Sequence, residues 1–156
     1  MKSFKFIWIL CILIPYACKK EGQKDNHFVS LQNITYNTFQ DPSLINIQLN
    51  FNIQGGYHIQ PDKPSEADFI ATDFTIQYPI NIKIKDVTFN YSPKLWSLDE
   101  HTFFKVISNE FSVTISIENA QNFDTIKKLE GVLYYQACDD KKCFFPRKLP
   151  ISVNLN

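Results

Sequence analysis

Neither sign of charge is in excess in this chain: sixteen Lys and Arg balance sixteen Asp and Glu, and no stretch gathers one sign over a face. Nucleic-acid binding needs a basic footprint, so that class is excluded and a protein or small-molecule partner is expected. Long apolar runs are missing too. The run from Phe6 to Ile14 falls short of the roughly 20 apolar residues that cross a bilayer as a helix. Helical periodicity is nearly absent, and there is no internal repeat or low-complexity tract. Histidine is scarce: His27, His58 and His101 are scattered, and none stands at a ligand spacing from a cysteine pair. No cofactor and no metal site that draws on histidine is therefore expected.

What the chain does have begins with a basic start, Met1-Lys2-Ser3-Phe4-Lys5, ahead of that short apolar run. This is the layout of a secretory signal. The run ends in Pro15-Tyr16-Ala17-Cys18, followed by the charged stretch Lys19 to Asn26. Ala17-Cys18 with such a spacer resembles the cleavage box of bacterial lipoproteins, with Pro15 where that box carries an aliphatic residue. The resemblance implies a signal over residues 1–17, lipidation of Cys18, and a polar spacer over 18–27. Ordinary cleavage or a retained anchor, leaving Cys18 a spare thiol, is the alternative. Residues 28–156 then form one domain of modest core.

That domain reads as strand after strand. Ile45, Ile47, Leu49, Phe51 and Ile53 alternate with Asn46, Gln48, Asn50 and Asn52, a period of two with one dry and one wet face. Asp41-Pro42-Ser43 turns into this strand and Gly55-Gly56 turns out of it. The alternation recurs at Ile80, Ile82, Ile84, at Phe111, Val113, Ile115, Ile117, and at Leu149, Ile151, Val153, Leu155. Weaker strands are expected over 31–39, 69–77 and 132–138. Roughly seven to nine short strands predict an all-β, immunoglobulin-like antiparallel β-sandwich. A short helical turn is expected where Phe123, Ile126 and Leu129 follow Asn122. The connections 61–68 and 92–102 are long enough to be functional loops.

Cysteine usage points to chemistry. Of four cysteines, Cys11 leaves with the signal and Cys18 is spent on lipid, which leaves Cys138 and Cys143 with Asp139-Asp140-Lys141-Lys142 between them. In an oxidising compartment such a pair normally forms a bridge. Closing so short a loop stabilises a fold by only about 2 kcal/mol, so the bond is a poor staple. Three readings stand: a bond meant to open and close, a static hairpin clasp, and a soft Cu(I) site of two thiolates.

The segment Tyr135-Gln136-Ala137-Cys138 to Cys143-Phe144-Phe145-Pro146 resembles the Tyr-Gln-x-Cys...Cys-x-x-Pro signature of the N-terminal periplasmic domain of the thiol:disulfide interchange protein DsbD. The likeness extends to Gly56-Tyr57-His58-Ile59 and to the strand succession from about Asn33 onward. It implies an immunoglobulin-like sandwich relaying reducing equivalents from a thioredoxin-like periplasmic domain, or a DsbD-type membrane electron carrier, to periplasmic disulfide proteins. Those modules are expected as separate partners, or to be absent. By the resemblance Cys143 forms the mixed disulfide and Cys138 resolves it. Tyr57, His58, Tyr135, Gln136, Phe144 and Pro146 are expected to line the pair. Trp96 or Phe103, in the loop 94–103, would serve as the aromatic cap that the family holds over its sulfurs. Trp96 has an equal claim to be core. Of Tyr134 and Tyr135, alternation lets only one approach the site while the other packs inward.

Overall fold

The computed structural model describes residues 27–37, 44–64, 66, 68–77, 83–97, 101–118 and 128–154. The expected signal, Cys11 and Cys18 lie outside these. Eleven strands make up the described chain: β1 (Val29–Asn37), β2 (Leu44–Ile53), β3 (His58–Ile59), β4 (Asp73–Gln77), β5 (Lys83–Asn90), β6 (Lys94–Ser97), β7 (Phe103–Val106), β8 (Glu110–Glu118), β9 (Lys128–Tyr135), β10 (Ala137–Cys138) and β11 (Arg147–Asn154). They pair antiparallel throughout. One sheet has the order β1-β2-β8-β5 and a second the order β11-β9-β4, while β6-β7 and β10-β3 form two ribbons.

The expected β-sandwich is the fold found, and its driving force is visible along β2. Ile45, Ile47, Leu49, Phe51 and Ile53 are all buried while the residues between them are half-exposed. Each such burial contributes about 1.5–3 kcal/mol. Their cross-strand partners on β8 repeat the pattern: Ile47 faces Ile115, Leu49 faces Val113, and Phe51 faces Phe111 with rings stacked 4.9 Å apart. Leu129, Leu133 and Tyr135 of β9 join the same core from the second sheet. The wet face of the first sheet is tied by amides and hydroxyls instead, as where Asn50 Nδ2 donates to Asn33 Oδ1 at 2.6 Å.

Several boundaries differ from expectation. The strand expected around Ile80 to Ile84 runs on to Asn90, with a register shift between Ile84 and Asp86; residues 78–82 lie outside the described part. Only 73–77 of the expected 69–77 strand is extended. The expected helical turn is corrected at Leu129, which is a strand residue of β9 paired with Val153; residues 119–127 lie outside the described part. Within the supposed loop 92–102, Lys94–Ser97 is strand β6, which pairs with β7 just beyond the loop; residues 98–100 lie outside the described part. The two strands are four residues each, too short for alternation to stand out.

Candidate functional site

The cysteine pair sits in the connection that closes the β9-β11 hairpin. The ladder runs regularly up to Tyr135 opposite Arg147 and breaks at Gln136, whose Nε2 donates to the Phe144 carbonyl at 2.9 Å. The chain then makes a second, smaller hairpin. Phe144 N–H donates to the Ala137 carbonyl at 2.8 Å, and Asp139 N–H to the Lys142 carbonyl at 2.9 Å. Cys138 and Cys143, opposite each other between these bonds, occupy a non-hydrogen-bonded position, where antiparallel α-carbons approach most closely. The α-carbons are 3.9 Å apart and the sulfurs are bonded.

Asp139 shapes the turn. Its Oδ1 accepts from the N–H groups of Lys141 and Lys142, both at 2.8 Å, a local side-chain turn of the kind aspartate favours. Those two bonds hold its carboxyl below the usual range.

β3 reaches the site because of a tight turn. Tyr57 N–H donates to the Gln54 carbonyl at 3.1 Å and Gly56 has φ 86°, a conformation that favours glycine at the third turn position. This delivers His58 opposite Cys138 and Ile59 opposite Ala137. Ile59 also exchanges two 2.9 Å backbone bonds with Ile107. Directly opposed residues share a face, so Ile107, Ile59 and Ala137, all at 0 % exposure, form the core side of the ribbon. His58, Cys138 and Cys143 form a row on its other side.

That row is graded in exposure. His58 and Cys138 are buried, at 6 % and 1 %, whereas Cys143 is exposed. Trp96 of β6 packs against His58, with ring centroids 4.8 Å apart. Burial pushes the imidazole pKa down from 6.5, and the negative charge of Asp139 opposes this more weakly.

Phe144 and Tyr57 pack with Phe28 at 4.8 and 4.5 Å, against the core. Tyr135 is wholly buried and its hydroxyl accepts the Phe28 N–H at 3.2 Å. It is thus the inward member of the tyrosine pair and supports the site from behind. Pro146 is half-buried where the chain rejoins β11. Phe103 is not brought to the pair. It faces Ser97 on the hairpin and, being one residue out of step with the Trp96–Phe104 pair, points to the opposite side. There it is 58 % exposed and lines a hollow with Pro61, Tyr91 and Leu95. Sequence reasoning missed Phe145, next but one to Cys143 and 92 % exposed. Its only signal is an apolar residue outside any alternating pattern.

Comparison with solved structures gives the fold a relative. The N-terminal periplasmic domain of ScsB from Proteus mirabilis matches with a TM-score of 0.57 at 16 % identity, over 85 % of this chain and 48 % of that one. The N-terminal domain of DsbD from Neisseria meningitidis, in the reduced form, is matched at a TM-score of 0.48 and 15 % identity, over 71 % of this chain and 78 % of that one. The chain spans about half the length of the ScsB structure. No family model matches the chain, and no curated protein does.

Proposed function

We propose that this protein exchanges disulfides with other proteins through Cys138 and Cys143, in the periplasm, after export directed by residues 1–17 and anchoring at the membrane through a lipidated Cys18. Residues 28–156 are the exchanging domain. The observation that carries the reading is the graded pair: one bonded cysteine open to solvent, the other buried. Sequence resemblance to the DsbD N-terminal family and the ScsB-like fold support it.

In the reaction a partner's thiolate attacks Cys143 in line with the bond, and Cys138 leaves as a thiolate. A second thiol of the partner then attacks the mixed disulfide, so the partner is oxidised and this domain gains two electrons and two protons. The reduced domain passes them on in reverse order. Cys143 attacks an acceptor disulfide and Cys138 resolves the intermediate. The donor is a thioredoxin-like domain or a DsbD-type membrane electron carrier. Acceptors are periplasmic disulfide proteins. Phe145 stands where either partner must cover the surface.

The deciding experiment is the equilibrium potential of the Cys138–Cys143 bond against a thioredoxin or glutathione buffer. Structural bonds in exported proteins lie below about −300 mV. A value above that is expected here, and one below it would make the bond a clasp and the domain a non-catalytic binding module.

A further inference from the structure

We propose that His58 takes up the proton of Cys138 when that thiol attacks the mixed disulfide and, by the reverse path, delivers one drawn from solvent when Cys138 is the leaving group. The inference rests on the exchange reading and assigns a role within it.

The geometry carries the argument. His58 stands directly opposite Cys138 on the neighbouring strand, where Cβ atoms of such a pair lie about 4.5–5.5 Å apart on one face. Cys138 is 1 % exposed, so bulk water is a poor acceptor for its proton. Trp96 packs against the imidazole with ring centroids 4.8 Å apart, and His58 is itself only 6 % exposed. Tyr57, Lys94, Trp96 and Asp140 line the same cleft as His58. Among the described charged groups Asp139 acts on the imidazole most directly. Its charge steadies the imidazolium once the proton has arrived, while burial keeps the resting ring neutral and able to accept.

The step balances. The Cys138 S–H bond breaks, His58 gains the proton, and the Cys138 thiolate attacks the sulfur of Cys143. The Cys138–Cys143 bond forms, and the bond from Cys143 to the partner breaks. The partner departs as a thiolate and the imidazolium yields its proton to solvent.

A test uses the full reduced protein with dithiobis-nitrobenzoate, each turnover of which releases two coloured thiolates. The first release reports attack by Cys143 and the second resolution by Cys138. In the wild type the second rate should stop rising with pH once His58 is neutral, well below the ordinary thiol value of about 8.5. In His58→Gln it should keep rising tenfold per pH unit toward the ordinary thiol value of about 8.5, which makes it about thirtyfold slower at pH 7. The first release should be the same in both. One shared pH profile would overturn the role of His58, as would a gap that persists at about pH 9.5, since that marks a structural defect. A tenfold-per-unit rise in the wild type between about pH 6.5 and 8 overturns it without any variant. A wild type that releases only one thiolate would instead sink the exchange reading itself.

Discussion

Cys143 is exposed while Cys138, bonded to it and directly opposite in the hairpin, is 1 % accessible. An attacking thiolate must approach along the bond axis, so only attack on Cys143 has an open path. Cys138→Ser should therefore accumulate a mixed disulfide with a thioredoxin-like protein through Cys143, visible as a reducible adduct on non-reducing gels and by mass. Cys143→Ser should give little. Equal trapping by both variants would contradict the asymmetry.

Removing the bond should leave the fold standing. The loop it closes is short, with the cysteines five positions apart, so its entropic contribution is about 2 kcal/mol. The neighbouring backbone bonds at Ala137, Asp139, Lys142 and Phe144 do not involve the sulfurs. The double variant Cys138→Ser, Cys143→Ser should lose no more than about that amount in urea unfolding.

Gly131 is a packing determinant far from the cysteines. It lies in β9 between β4 and β11, and a Cβ there would fall 2.7 Å from Phe74 Cζ and 3.1 Å from the Thr75 carbonyl oxygen. Gly131→Ala should cost about 1–3 kcal/mol through overpacking. Phe74→Leu should recover part of that loss in the double variant, because the ring is the closer obstacle and the backbone oxygen stays.

Alkaline stability should depend on Tyr91. Its hydroxyl donates to Asp62 Oδ1 at 3.0 Å, and burial, then that bond and charge, push its pKa up from 10.0 to about 12. The folded state holds this proton more tightly than the unfolded chain does. The resulting stabilisation is complete below pH 10 and disappears as pH rises through the folded value near 12. Thermal unfolding followed from pH 9 to 12 should show a decline that is shallower in Tyr91→Phe. Buried Tyr135, also raised, adds to the decline in both proteins.

How far the sequence alone reached differs between the sheets and the site. The strand Leu44–Ile53 was legible because a two-sided environment imposes a two-residue period on the chain. The cysteine pair was legible from spacing and from its flanking residues. β3 was not, since two residues carry no period. The hairpin of β6 and β7 was hidden for the same reason, so the expected aromatic cap divided into Trp96, which covers His58, and Phe103, which points elsewhere.

Alternation and composition by themselves determined that this is an all-β sandwich with two cysteines at the end of a strand. Both are local properties, written in consecutive residues. That a histidine faces Cys138 was decided by a pairing between segments eighty residues apart, and that Tyr135 is the inward tyrosine by its packing in the core, where its hydroxyl meets the Phe28 N–H. Such pairings are selected by the packing of the whole core, and no local pattern in the chain encodes them.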